Sequence, residues 1–250
     1  MTEVVTGDMS TSEPPVDLAA GLNVAQLAQV YARVGRIHIP AVLNAECATA
    51  AYHSLAEQVP WQLHLNDGER VFDLEPTQVQ SLPPASQVLL HDRVNANAVA
   101  AFQFLFDNFP LSDAYVNGEY RELYAMRIYE FLNSPRFLDF ARCLTGEQRI
   151  AMADAQATLY RPGHFLTRHD DAIQGPRRLA AYVLNLTPRW RADWGGILMF
   201  LDSDGHLAEG YTPAFNALNV FKVPQAHAVS YVAPMAACGR YSISGWLRES

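Results

Sequence analysis

The chain has 250 residues, half of them apolar and 18% charged, with 18 basic against 26 acidic side chains and a formal charge of -8. That length accommodates one large domain with a real core and not two full ones. The acidic balance argues against a nucleic-acid-binding surface, and no run approaches the ~18 consecutive apolar residues of a membrane span. Three widely spaced cysteines, Cys47, Cys143 and Cys238, argue against a disulfide framework and a Cys-based zinc site. No basic, then apolar, leader opens the sequence, so a soluble cytoplasmic protein without membrane or nucleic-acid partners is expected.

Residues 1–20 are rich in Thr, Ser, Glu and Pro and read as a disordered tail. The single domain is then expected over 21–250, with helical support over about 21–150. Apolar residues recur at helical spacing over 22–34, and Arg36-Ile37-His38-Ile39 alternates up to Pro40 as a short strand. Asn44 can cap a helix reaching about Gln58. Residues 61–65 alternate as a strand ended by Asn66-Asp67-Gly68. Residues 86–108 and 119–144 read as mostly helical, with Phe102, Phe104, Phe106 and Phe109 as helix packing and Pro135 opening a new helix. After Gly146 the texture turns to short β-rich runs at 155–160, 179–186, 197–201, 218–223, 228–232 and 241–247, separated by Pro and Gly. Six strands at this spacing predict a sandwich or barrel over about 151–250, covered on one face by the helices.

The residues that carry chemistry lie in Thr167-Arg168-His169-Asp170-Asp171. In an extended segment, His169 and Asp171 project to one side. Two His and one carboxylate on one face suit non-haem Fe(II), and His227, at the start of a strand, can supply the second imidazole. A His-x-Asp alone arises about 0.4 times by chance in a chain of this composition, so the surrounding order matters more than the motif. Arg240 and Ser242 share one face of the last strand, where a guanidinium fork and a hydroxyl suit the far carboxylate of a dicarboxylate such as 2-oxoglutarate.

The run Leu159-Tyr160-Arg161-Pro162-Gly163-His164-Phe165-Leu166 leads into His169-Asp170-Asp171. It continues through Arg177-Arg178, Trp190, Gly195-Gly196, Pro213-Ala214-Phe215-Asn216, Pro224 with His227, and Arg240 to Trp246. Over about 150–250 the chain resembles the Fe(II)/2-oxoglutarate-dependent dioxygenases of the prolyl 4-hydroxylase-like group, and more narrowly the ribosomal-protein prolyl hydroxylases and their bacterial relatives. The resemblance implies an α+β fold with a double-stranded β-helix (jelly-roll) core in the C-terminal half, flanked by helices from the N-terminal half. It implies Fe(II) on His169, Asp171 and His227, and 2-oxoglutarate held by Arg240, Tyr160 and Ser242. It further implies O2 as oxidant, ascorbate as accessory reductant and no catalytic residue beyond the metal ligands. The implied reaction hydroxylates an unactivated C–H, foremost a prolyl residue of a protein or peptide, with release of succinate and CO2. Two departures stand out. Asn185 occupies about the place of a family tyrosine, and the chain has room for one barrel where the larger relatives carry a second, degenerate one.

Trp246 and Asn185 are the candidate substrate-pocket residues, and substrate loops are expected at 65–79 and 203–213. Lys222, the one lysine, is a lesser candidate for the co-substrate cation. His164 and His206 read as loop histidines, and His38 and His64 as strand histidines facing solvent or a partner. Three other readings stay open. One is the same chemistry on a free amino acid or small metabolite, another a non-catalytic β-helix binding domain, and the third a zinc hydrolase. The last leaves Tyr160 and Arg240 without a task.

Overall fold

A computed structural model describes residues 13–172 and 178–249. Most of the tail read for 1–20, and Arg177 in the resemblance run, fall outside the described residues. Among the described residues seven α-helices and thirteen strands follow in chain order: α1 (Val24–Val34), β1 (Arg36–Ile39), α2 (Ala45–Glu57), β2 (Gln62–Asp67), β3 (Arg70–Leu74), α3 (Pro76–Ser81), α4 (Pro84–Ala98), β4 (Phe104–Phe109), α5 (Leu111–Asn117), α6 (Tyr124–Leu132) and α7 (Pro135–Thr145). The β-rich half adds β5 (Met152–Ala153), β6 (Gln156–Tyr160), β7 (Phe165–His169), β8 (Arg178–Asn185), β9 (Leu198–Leu201), β10 (Leu207–Tyr211), β11 (Ala217–Lys222), β12 (His227–Val229) and β13 (Arg240–Arg248).

The strands form one antiparallel sheet in the order β1-β11-β8-β13-β6-β4-β7-β12-β9-β10. The hairpin β2–β3 extends from β4, and β5 extends from β13. The sheet curls until its two ends meet through side chains rather than a ladder. Arg36 of β1 pairs with Glu209 of β10, and the rings of His38 and Tyr211 lie 5.5 Å apart. This is the expected jelly-roll barrel, with a seam between β1 and β10.

Alternation along the strands sorts the two faces. Ala180, Tyr182, Leu184, Leu218, Val220, Ile243 and Leu247 point outward into the large core, where they meet α1, α2, α6 and α7. Ala181, Phe221, Leu198 and Phe200 point inward. Local chemistry starts the covering helices where the sequence suggests. Asn44 accepts from the Cys47 amide at the head of α2, and Ser134 accepts from Phe137 ahead of Pro135 in α7.

Four features differ from the sequence reading. The expected helix over 86–108 is α4 followed by β4. Phe104 and Phe106 face the barrel interior and Phe109 the outer core, which is a strand's alternation. The expected loops at 65–79 and 203–213 contain β3, α3 and β10, because hairpin pairing orders segments whose composition is polar. The sheet also recruits four strands, β1 to β4, from the half read as helical support. Finally, residues 13–20 are held to the helical layer. Ala19 donates to Val42, Leu18 bridges Leu43, and Tyr124 donates to the Pro14 carbonyl at 2.6 Å. The packed chain thus starts before residue 21.

Candidate active site

His169 ends β7 and His227 opens β12, and the two are direct cross-strand partners. A bulge makes this possible. His227↔His169 and Val229↔Leu166 leave three steps on β7 against two on β12. The extra residue lets Leu166 and His169, three apart, both face the interior. Asp171 lies just past the strand end with φ 63°. The convergence expected from an extended segment is therefore achieved by a turn.

The three side chains aim at one point. Asp171 Oδ1 lies 3.4 Å from His169 Nε2, and Asp171 Oδ2 lies 3.5 Å from His227 Nε2. Their ligand atoms all fall within 4.8 Å of one another. Each imidazole has Nδ1 on a main-chain carbonyl two residues earlier, Thr167 at 3.0 Å and Gln225 at 2.8 Å. A carbonyl only accepts, so in the neutral ring Nδ1 carries the proton and Nε2 presents its lone pair to the shared point. Burial, and then His169, push His227 down to about 4, which keeps it neutral and able to ligate at pH 7. Burial raises the Asp171 carboxyl, but the neighbouring His169 and His227 outweigh it and hold it below its usual range. Two neutral nitrogens and one carboxylate fit Fe(II), with positions left open for other ligands.

The triad lines a cavity of about 80 Å³ inside the barrel. Arg240, 2% exposed, lines the same cavity. Among the described residues its Nε has no hydrogen-bond partner and no carboxylate lies within ion-pair distance. Its guanidinium stands 5.1 Å from the Tyr160 ring, and burial lowers its proton affinity. Burial likewise raises the Tyr160 phenol, which stays protonated as a donor. Ser242, paired with Thr158 at 2.8 Å between hydroxyls, completes a lining of donors. The Gly195-Gly196 turn passes close by, where a Cβ on Gly196 would meet Arg240 Cδ at 3.3 Å and Trp190 at 3.1 Å. A buried guanidinium with no carboxylate beside it is costly and calls for an anion. The cavity beside Arg240 therefore suits the carboxylate of a small dicarboxylate.

The structure brings His169, Asp171, His227, Arg240, Tyr160, Ser242 and Trp246 around this one cavity. Asn185 shares the inner face but does not line the cavity. Lys222 is exposed on the outer face with its main-chain N on the Gly35 carbonyl, away from the cavity. His64 pairs with Asp73 at 2.6 Å and His38 with Asn219 at 2.7 Å, as strand histidines with partners. His164 lies in the β6–β7 loop, buried, and accepts from the Arg161 amide.

Sequence reasoning missed two neighbours of the metal point. Arg178 lies 3.4 Å over the Trp246 ring and 3.8 Å from Asp171 Oδ1. Phe102, 46% exposed, puts its ring 5.3 Å from that of His169. The period-2 spacing of Phe102, Phe104 and Phe106 was the available signal for the second; Arg178 has none beyond its place in the resemblance run.

Comparison with known proteins agrees with this geometry. Residues 155–248 match the family described as the 2OG-Fe(II) oxygenase superfamily. The chain is 32% identical over 145 residues to a prolyl 3-hydroxylase, OGFOD1, of Mus musculus, covering 55% of this chain. It spans about a quarter of that relative's length (26%). A prolyl-4-hydroxylase structure from Pseudomonas putida is similar with TM-score 0.57 and 18% identity, over 91% of this chain and 99% of that one. A prolyl hydroxylase from Trichoplax adhaerens, in complex with a hypoxia inducible factor peptide fragment, gives 0.59 and 15% over 90% and 89%. Residues 155–248, which hold the His-Asp-His point and the buried arginine, match the 2OG-Fe(II) oxygenase superfamily, and the chain shares the fold of the Pseudomonas putida prolyl-4-hydroxylase structure.

Proposed function

We propose that the chain is an Fe(II)- and 2-oxoglutarate-dependent dioxygenase that hydroxylates a prolyl residue of a protein or peptide. The observation that carries this is the buried Arg240, without a carboxylate partner among the described residues, in the same cavity as the metal triad. His169, Asp171 and His227 hold the iron. Arg240, Tyr160 and Ser242 hold the far carboxylate of 2-oxoglutarate, so its other end is directed toward the triad. When bound, iron with 2-oxoglutarate and O2 supplies the oxidising power for an unactivated C–H, releasing succinate and CO2. The protein's part is to place the co-substrate, keep Nε2 of both imidazoles unprotonated and exclude water from an apolar wall made by Phe106, Leu166, Val229 and Leu198. No general acid or base is needed.

The shape of the site favours a peptide over a free metabolite. The cavity is small, about 80 Å³, and beside it Phe102, Arg168, His169, Asp170 and Ala226 line a larger open groove of about 350 Å³. An open groove beside the metal suits one residue of a longer chain, whereas a small metabolite is better served by enclosure. The similarity to a curated prolyl 3-hydroxylase supports proline as the target. We further propose that residues 21–250, together with the clasping segment 13–20, form one oxygenase domain, with a cytoplasmic setting in keeping with free Cys47, Cys143 and Cys238, and ascorbate as accessory reductant. Among the described residues no helix is long and apolar enough to cross a membrane.

The test is anaerobic addition of Fe(II) and 2-oxoglutarate, followed by the weak visible metal-to-ligand charge-transfer band. The expected result is a band that His169→Ala abolishes and Arg240→Ala weakens, followed by succinate release stimulated by prolyl peptides. Absence of the band in folded wild-type protein overturns the reading.

A further inference from the structure

The inner face of the barrel carries one polar line. Ala181 and Val183 of β8 and Phe221 of β11 line the cavity, so Asn185 and Asn219, each two residues away, share that face. Asn185 lies across the ladder from Ser242, and Ser242 across the next from Thr158. On the other side, Asn219 faces His38, whose Nδ1 meets Asn219 Oδ1 at 2.7 Å. The line His38, Asn219, Asn185, Ser242, Thr158 crosses adjacent strands β1, β11, β8, β13 and β6. It runs from the seam at β10, where Tyr211 meets His38, to the cavity.

Two atoms on this line have no partner among the described residues. The Asn185 Nδ2 donates to the Ala217 carbonyl at 3.2 Å and the Val183 carbonyl at 3.4 Å. Carbonyls only accept, so the amide cannot be turned over, and Oδ1 is left without a donor. Asn219 uses Oδ1 on His38 and leaves Nδ2 without an acceptor. Both side chains are buried, at 0% and 1% exposure. They occupy diagonal positions on paired strands, where Cβ atoms lie roughly 7–8 Å apart. An unmet donor and an unmet acceptor at diagonal positions on paired strands fit one water, which accepts from Asn219, donates to Asn185 and has a second hydrogen to give.

We propose that Asn185 and Asn219 hold a buried water that forms the back wall of the dicarboxylate seat and joins that seat to the β1–β10 seam. This rests on Arg240 being the seat. The Ser242 hydroxyl has one proton. When it gives that proton to the carboxylate, its oxygen is left to accept, from Thr158 at 2.8 Å and, on the Asn185 side, from the water, which strengthens the donation. Asn219 is therefore a positioning residue for the co-substrate and has no contact with the metal.

The experiment is a high-resolution crystal structure of the metal-free full chain together with two titrations, 2-oxoglutarate by the anaerobic charge-transfer band and Mn(II) by EPR. The expected results are density for a water within hydrogen-bond reach of Asn185 Oδ1 and Asn219 Nδ2, and about tenfold weaker 2-oxoglutarate binding in Asn219→Leu with Mn(II) affinity unchanged. Should the leucine variant fail to fold, Asn185→Ala is read in the same titrations with the same expectation. Missing density, or wild-type 2-oxoglutarate affinity in the variant, overturns the proposal. A wild-type protein without the band overturns the dioxygenase reading and the carboxylate role together, and the density alone then decides the water site.

Discussion

Both triad histidines are oriented by the same local device, a carbonyl two residues upstream on Nδ1. The metal point thus needs no distant side chain to set its tautomers, and this is why spacing and order within the chain exposed it. One consequence concerns pH. His227 sits near 4 in the folded metal-free protein and returns to an ordinary 6.5 when unfolded. Between those values the unfolded chain binds more protons, so stability falls as pH drops from about 6.5 and levels off near 4. The loss amounts to about 3 kcal/mol at most. Urea titrations of metal-free protein across that range are expected to show the slope, and His227→Asn to flatten it; the same slope in the variant would refute the assignment. Loss of the carboxylate acts on the metal itself. Asp171→Ala is expected to weaken Mn(II) binding by more than about 100-fold in an EPR titration while the fold survives, and binding within tenfold of wild type would count against a three-ligand site. His169, Asp171, His227 and Arg240 were named as candidates from the sequence because of their order along the resemblance run more than any short pattern, and the structure places them around one cavity. Arg178, Asn219 and Phe102 were not, because their roles depend on which strand lies beside them.

At the scale of elements, β4 shows where periodicity misleads. Residues 86–98 are helical, and the apolar run that follows was absorbed into that helix, although Phe102, Phe104 and Phe106 alternate as a strand does. The β7 bulge is a second case: plain alternation puts Leu166 and His169 on opposite faces, and one extra residue reverses that. Turn and cap chemistry was legible, and its cost is testable. Asn44 holds the Cys47 amide and, through Nδ2, the Pro15 carbonyl. Asn44→Ala is expected to cost about 1–2 kcal/mol in chemical denaturation. Close packing sets the tolerance of β13. A Cβ on Gly245 would stand 1.9 Å from the Asp154 carbonyl oxygen. Gly245→Ala is expected to cost about 3 kcal/mol in the same assay and to disturb the adjacent Trp246; a cost under 1 kcal/mol would mean the strands can separate there.

At the scale of the whole molecule, the barrel is a sheet whose ends are joined by side chains, while the helical layer covers one face and is itself clasped by residues 13–20. Arg136 pairs with Asp17 and Arg127 with Glu13 across that clasp. Composition alone marked this segment as a tail, since its few apolar residues, Val16 and Leu18, gain value only once the helices they touch are in place. A variant starting at residue 21 is expected to melt about 5 °C lower by circular dichroism and to bind 2-oxoglutarate as wild type does; an unchanged melting temperature would make the clasp ornamental. A sandwich or barrel was legible from strand spacing after Gly146, and the jelly-roll only through the family resemblance, whereas the recruitment of β1 to β4 was not, because long-range pairing leaves no local mark.

The pairing of His169 with His227 also makes the metal an inspector of folding. The two residues lie 58 positions apart in the chain (169 to 227) and face each other only when β7 and β12 are in register. A slip of one residue would turn His227 to the other face and present Ala228 in its place. On the proposed ligand set, a misaligned chain would lack one imidazole and bind the ion far more weakly. A correctly aligned one is clamped by it, gaining about 2.7 kcal/mol when the ion stands at a hundred times its dissociation constant. On that ligand set, metal loading would double as quality control on the barrel that carries it.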